Sequence, residues 1–283
     1  MALESFPPLI LVSARFVLSG ALMLGAALAQ GRRLPRGREL AIACLSGTMV
    51  LGGGNGCLVY AETIIPSGLA GLFITLSPFW LVGIEALLPG GERLHLPTVG
   101  GMLIGFAGVA VLVAPDLQTG TGGFLLTGFL ILQLGNAMWC GGSVFQRRQP
   151  TRVHPVLIGA VQQLAAGLAF LPPALLIQEH PVHWSTRGVA ALFYLVFFGS
   201  IVGYSSYAYA MDKLPVAVVS IYPYVNAVVA VTLGWVFYRE PFGTREAAAM
   251  AIIFAGVAVV KYTTRGQRIS RPSASRESAA KGA

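Results

Sequence analysis

FAGVAV stands at 106–111 and again at 254–259, an offset of 148 residues in a chain of 283. The match extends outward from that seed. Pro8 pairs with Pro155 and Gly20 with Gly167 at offset 147. Gly54 pairs with Gly203, Tyr60-Ala61 with Tyr209-Ala210 and Pro66 with Pro215 at offset 149, and Glu92 with Glu240 at 148. One small gap in a loop accounts for the drift. Single identities in apolar sequence recur by chance, but a steady offset across five segments does not. The chain therefore reads as two copies of one unit, and the hexapeptide itself is expected to pack helices.

Composition places the unit in a membrane. The chain is 55% hydrophobic and 11% charged, with a mean hydropathy of +0.72; a soluble domain carries about 25% charged residues. Cys44, Cys57 and Cys140 lie inside apolar runs, too few for a disulfide framework or a Cys-rich metal site. His95, His154, His180 and His183 all fall in expected loops, so no helical His pair suggests a metal and none is expected. No cofactor is expected either, since GxxxxGK[ST] is absent and ATP is not the direct driver. The GGGNG at 52–56 sits inside an apolar span and is read, with Gly101/Gly105 and Gly199/Gly203, as small-residue helix contacts. The net charge of +8 is explained by short loops and the tail, so no nucleic-acid partner is expected. The first apolar run follows an uncharged start and continues for a full span, so it is expected to be a span rather than a cleavable leader.

About 20 apolar residues cross a bilayer core of about 30 Å. Nine stretches qualify: 6–29, 40–60, 67–89, 97–114, 122–146, 155–178, 187–211, 214–238 and 245–262. Alternate loops differ in charge. One side receives Arg32, Arg33, Arg36, Arg38, Arg93, Arg147, Arg148, Arg152 and Lys213, with five more basic residues in the tail; the other receives Arg187, Arg239 and Arg245. A bias of fourteen to three makes the first side cytoplasmic, with the C-terminus inside. Residues 8–114 pair with 155–261, four spans on four, which leaves 122–146 without a mate. The expectation is a ten-span protein, five plus five, whose first span is missing here through a late start or a truncation. The alternative is a nine-span protein with an outside N-terminus. Five spans is an odd number, so the second half inserts upside down. The expected fold class is all-α integral membrane, an inverted repeat of five-helix units. Its expected divisions are 1–119 for the first repeat, 120–262 for the second and 263–283 for a disordered basic cytoplasmic tail.

Polar residues inside spans mark the candidate site. Arg15 lies about 13 Å deep at ~1.5 Å per residue, where an arginine costs about 2.5–3.5 kcal/mol and needs a partner or a wet cavity. It reads either as a contact for a substrate carboxylate or as a cap for the carbonyls of a broken helix; its repeat mate is Gln162. In an inverted repeat, matched polar residues converge near the pseudo-two-fold axis. Ser77 matches Asn226 and Asn55 matches Tyr204 at offset 149. Ser77 precedes Pro78 and Asn226 follows Pro223, and a proline within a span frees carbonyls that must be satisfied by protein or a cavity. Trp80, Trp139, Tyr204, Tyr207, Tyr222 and Tyr224 lie within spans, supplying apolar area with a polar tip. Trp235 and Tyr238 lie near a span end and read as an interfacial belt. Gln133, Asn136 and Trp139 recur at i, i+3 and i+6 and form one polar-aromatic face on the unpaired span. Glu62, Glu92, Asp116 and Asp212 sit at span ends, and Glu85 near one, so a carboxylate relay has weak support.

PPLILVSARFVLSGALML at 7–24, ETIIPSGLAGLFITLSPFWLVGIEALLPGGERL at 62–94, GMLIGFAGVAVLV at 101–113 and LPVAVVSIYPYVNAVVAVTLGWVFYREPF at 214–242 together resemble the EamA-type drug/metabolite transporter superfamily. The resemblance covers the chain to about residue 262. It implies ten helices in two inverted repeats with both termini cytoplasmic, and among its branches the chain is most similar to bacterial exporters of amino acids, aromatic ones included. Two departures stand out. No helix with the family's small-residue and Trp motif precedes PPLI, and Asn226-Ala227 replaces the acidic-Pro pair usual in the ninth helix, which puts proton coupling there in doubt.

The expected function is secondary export of amino acids and similar small metabolites across the inner membrane by alternating access, without enzymatic chemistry. The expected partners are a small-molecule substrate and the lipid bilayer, with the chain acting as a monomer and a dimer as the alternative. An organic-cation or multidrug exporter is the alternative in the same class; a channel or a membrane enzyme are the alternatives outside it.

Overall fold

The computed structural model describes residues 2–89, 96–118, 122–149, 153–177, 181–213, 222–239 and 243–270. They form nine helical runs and no strand: α1 (Pro8–Ala29), α2 (Arg38–Ala61), α3 (Ser67–Leu87), α4 (Leu96–Gln118), α5 (Gly122–Arg147), α6 (Pro155–Leu176), α7 (Thr186–Ala210), α8 (Tyr222–Tyr238) and α9 (Thr244–Ser270). Each falls on one of the nine apolar stretches. Six of them, α1, α2, α3, α5, α6 and α7, are long and apolar enough to cross a bilayer, and α4 and α8 contain shorter apolar stretches, Leu96–Val111 and Val225–Phe237. The chain is an all-α integral membrane protein. Helix α9 runs to Ser270, past residue 262 where the tail was expected to begin; residues 271–283 of that tail lie outside the described part of the structure. Residues 214–221 of the eighth stretch, and the side chains of Glu92, Asp116, Asp212, Tyr224 and Glu240, lie outside the described part of the structure.

Local chemistry sets the helix ends. Pro7-Pro8 and Pro155 open α1 and α6, where the missing N–H has no intrahelical partner to lose. Ser185 caps α7 by accepting from the Gly188 amide at 3.0 Å. Gly31 and Gly37 turn the chain between α1 and α2 at φ of 68° and 53°, where a side chain would be strained. Outward faces carry Leu22, Leu103, Phe124, Leu130, Phe193 and Trp235, all exposed, as a lipid-facing surface requires.

Repeat mates pack on each other. Helix α1 lies against α6, and α4 against α9. A methyl group added to Gly20 would stand 2.7 Å from the Leu164 nitrogen and 3.0 Å from the Ala160 oxygen; one added to Gly167 would stand 2.7 Å from the Val17 nitrogen and 3.0 Å from the Ser13 oxygen. Subtracting 147 turns the first pair of neighbours into the second. The glycines of the two hexapeptides repeat the pattern. Gly108 meets Ile253 N and Ala249 O, and Gly256 meets Gly105 N and Gly101 O. In both pairs position numbers rise along one helix as they fall along the other, so the mates run antiparallel. Between helices in lipid there is no hydrophobic drive, and close backbone approach at small residues supplies the attraction instead.

The core divides across the sequence halves. Of the two larger buried clusters, one joins Phe16 of α1, Leu51 of α2, Ala166 of α6 and Val196 of α7; the other joins Phe73 of α3, Val109 of α4, Leu132 of α5 and Ile253 of α9. Helix α3 also packs on its mate α8. Each cluster thus draws on both halves.

Two helices depart from α geometry at matched places. Helix α2 is π-helical over Thr48–Gly54 and α7 over Leu195–Tyr204; adding 149 to the first range gives 197–203, inside the second. A π stretch is wider and re-aims the side chains that follow it. Asn55 directly follows one and Tyr204 ends the other.

Helix α3 breaks between Ile74 and Ser77, ahead of Pro78. The Phe73 carbonyl, which takes the Leu76 amide at 3.3 Å, also accepts from Gln133 Nε2 and Asn136 Nδ2 of α5, both at 3.3 Å. Ser77 Oγ donates to the Ile74 carbonyl and meets Asn136 Oδ1 at 3.1 Å, and Trp80 Nε1 donates to Gln133 Oε1 at 2.9 Å. This clamp is how the broken backbone is satisfied without water.

Gly256→Ala is expected to lower the melting temperature of the detergent-solubilised protein by several degrees, because backbone leaves no room and overpacking costs about 1–3 kcal/mol. Gly25→Ala, with nothing within 4 Å of the added carbon, is expected to leave it unchanged or raise it. Equal shifts in scanning fluorimetry would contradict this packing.

Candidate functional site

A cavity of about 810 Å³ lies where α1, α2, α5, α7 and α8 meet. Its charged wall is Arg15. The Arg15 Nε donates to Ser200 Oγ on α7 at 2.7 Å, and the guanidinium carbon sits 5.1 Å from the Phe16 ring centroid. Ser200 is itself buried, and its carbonyl is approached by Gln163 Nε2 at 3.4 Å, so the anchor is held from behind. Gly199 makes room: a methyl there would stand 2.8 Å from Arg15 Nη2. Glu62, at the end of α2, supports the charge electrostatically. Among the described residues the two terminal nitrogens of Arg15 have no hydrogen-bond partner, which leaves the fork open to the cavity.

The aromatic wall is continuous. Trp139 Nε1 donates to the Tyr207 hydroxyl at 3.2 Å with the rings 5.5 Å apart. Tyr207 lies 6.1 Å from Tyr204 and 5.4 Å from Tyr222, centroid to centroid. Asn55, Ser206 and Asn226 add polar side chains that make no hydrogen bond among the described residues. In a protein surrounded by hydrocarbon, open polar valences facing a cavity are satisfied by water or by a ligand.

Ten of the eleven expected site residues separate into two groups. Arg15, Asn55, Trp139, Tyr204, Tyr207 and Asn226 line this cavity. Ser77, Trp80, Gln133 and Asn136 do not; they form the clamp on the α3 break. The face Gln133/Asn136/Trp139 spans about 120° of helix arc at ~3.6 residues per turn, so its two ends meet different neighbours. The Tyr224 side chain lies outside the described residues. Glu85 is bound by Arg148 at 2.8 Å, at the arginine-rich end. Ser200 and Ser206 were not singled out, and Gly199 was read only as a helix contact. The sequence hint for them was Arg15 itself, which at that depth had to have a partner, but 185 residues separate it from Ser200. Among the described residues no three His, Cys, Asp or Glu gather as a metal site.

The EamA-like transporter family matches residues 1–114 and 126–262. An uncharacterized inner membrane transporter, YedA of Escherichia coli K12, is 32% identical over 262 residues, 92% of this chain and 83% of the relative. A probable terminal-alkyne amino-acid exporter of Streptantibioticus cattleyicolor is 26% identical, covering 81% of this chain and 76% of its own. A solved crystal structure superposes with a TM-score of 0.67 at 25% identity, over 93% of this chain and 91% of that one. The double match and the near full-length relative make one conclusion plain: the chain belongs to the EamA-like transporter family.

Proposed function

We propose that this transporter exports amino acids, aromatic ones included, and similar small metabolites across the inner membrane by alternating access, with the central cavity as its binding site. The observation that carries the reading is Arg15, anchored through Nε with its terminal fork open to an aromatic-walled cavity. A guanidinium fork fits a carboxylate bidentately. Trp139, Tyr204, Tyr207 and Tyr222 would take the side chain, and Asn55 and Asn226 the amino group. The relatives named as an inner membrane transporter and an amino-acid exporter support the compartment and the substrate class. No carboxylate lines the cavity among the described residues, which disfavours organic cations.

The movement is built into the repeat. The antiparallel mates support an inverted repeat, with residues 1–119 and 120–262 as its halves and the arginine-rich end in the cytoplasm. Rocking about the glycine contacts would exchange which end of the cavity is open.

Counterflow in proteoliposomes with labelled amino acids tests the reading; carriage of organic cations and no amino acid would overturn it. Arg15→Gln is expected to lower amino-acid counterflow at least about ten-fold, the loss of one charge-assisted contact worth ~1.5–3 kcal/mol. Gly199→Ala, by crowding Nη2, is expected to raise the half-saturation concentration in the same direction.

Trp139→Ala and Asn136→Leu separate cavity from clamp. The first is expected to raise half-saturation, because it removes the centre of the aromatic wall. The second is expected to cost about 1–3 kcal/mol of stability, because the Phe73 carbonyl loses one of its donors and Ser77 Oγ loses Asn136 Oδ1, while half-saturation stays put. The reverse assignment, read by scanning fluorimetry and counterflow together, would contradict the division of the site.

A further inference from the structure

Tyr204 and Tyr207 line two cavities, and they are the two residues common to both. The second is a chamber of about 480 Å³ toward the arginine-rich end. Its wall differs in kind from the aromatic wall of the central cavity. Ser143, Gln146 and Arg147 of α5 face it, with His154 and Gln162 at the start and middle of α6.

The cations around it are not equivalent. Arg148 is taken by the Glu85 carboxylate at 2.8 Å and the Pro89 carbonyl at 3.1 Å, and Arg38 donates to Gln149 Oε1 at 3.0 Å. Arg147 lines the chamber and has no partner among the described residues. His154 Nδ1 accepts from the Val156 amide at 3.3 Å, so the neutral ring carries its proton on Nε2 and presents a donor. A chamber with an unpaired guanidinium, a ring N–H and amide side chains is suited to a small carboxylate.

The partition is latched. The buried Tyr204 hydroxyl donates to Gln162 Oε1 at 2.7 Å. Gln162 Nε2 donates to Ser46 Oγ at 3.0 Å and to Gln146 Oε1. One glutamine thereby joins α2, α5, α6 and α7. The Tyr207 hydroxyl is held by Trp139 and, at 3.4 Å, by Ser143. Tyr204 also ends the π-helical stretch of α7, directly after Gly203, where a change of helical register would swing it.

We propose that this chamber is a second binding site on the transport path, in which Arg147 takes the carboxylate of the same substrate, with Tyr204 and Tyr207 as the partition between the two sites. The proposal rests on the amino-acid reading of the central cavity. Substrate from the arginine-rich side would be held first at Arg147, and release of the Tyr204–Gln162 latch would connect it to Arg15. The latch residues act through Tyr204 and position it.

The test uses the full chain in oriented proteoliposomes. Arg147→Gln is expected to raise the half-saturation concentration for labelled amino acid presented at the arginine-rich end about ten-fold, with the half-saturation concentration at the opposite end unchanged. An equal change at both ends, or none, overturns the second site. For the partition, Asn55→Cys is placed in a background without the native cysteines, and an impermeant maleimide is added at the arginine-rich end. Tyr204→Phe, which keeps the ring and removes the hydroxyl, is expected to speed labelling at least about ten-fold; an unchanged rate overturns the partition. Ser206→Cys serves as the reporter if Asn55→Cys fails to fold. If the unsubstituted protein carries no amino acid, the amino-acid reading fails and the Arg147 assignment falls with it, whereas the labelling rates still decide the partition.

Discussion

Lipid removes both the hydrophobic drive between helices and the water that would satisfy a stray peptide group. Helices in this protein must therefore meet backbone to backbone, and any break must be capped by protein. Glycine contacts between repeat mates meet the first demand: Gly20 on Leu164 and Gly167 on Val17, Gly108 on Ile253 and Gly256 on Gly105. The Gln133/Asn136 clamp on the Phe73 carbonyl meets the second. Because the glycine contacts exchange under the repeat, they tie each half to the other rather than to itself. The buried clusters follow, each built from both halves.

The central cavity opens beside the cluster that holds Phe16 and Leu51, and polarity in it has to be earned by structure. A guanidinium at this depth persists because Ser200 anchors it, Glu62 balances it, and Gly199 gives it room. The paired π-helical stretches serve the same end. They let α2 and α7 leave α geometry where close neighbours crowd them, and they set Asn55 and Tyr204 at the cavity wall. Glycine 199 and glycine 203, which read as helix-contact residues in the sequence, face the Arg15 side chain and the Phe198 carbonyl instead.

Much of this was legible in the chain. Among the described residues each of the nine apolar stretches forms helix, since length and apolarity are local properties. The Gly20/Gly167 and hexapeptide matches marked sites that do meet. The matched pair Asn55 and Tyr204 reached the cavity, whereas its companion Ser77 went to the clamp. The difference is one of neighbours: a side chain beside a proline break is drawn to the freed carbonyls, and the sequence shows the proline without showing who caps it. The face Gln133/Asn136/Trp139 was visible, but an arc that wide touches two neighbours, and periodicity alone does not say where the boundary falls. Ser200 and Ser206 were missed because their partners lie far off in sequence. The π-helical stretches were missed because a glycine run is equally compatible with a straight helix.

Equilibrium binding of a labelled aromatic amino acid to the purified protein tests the central claim, that Arg15 reads a carboxylate inside an aromatic-walled cavity. The free acid is expected to displace the label, and its methyl ester, which keeps the ring and the amine but caps the carboxylate, is expected to compete at least about ten times more weakly. An ester that competes as well as the acid would contradict the account.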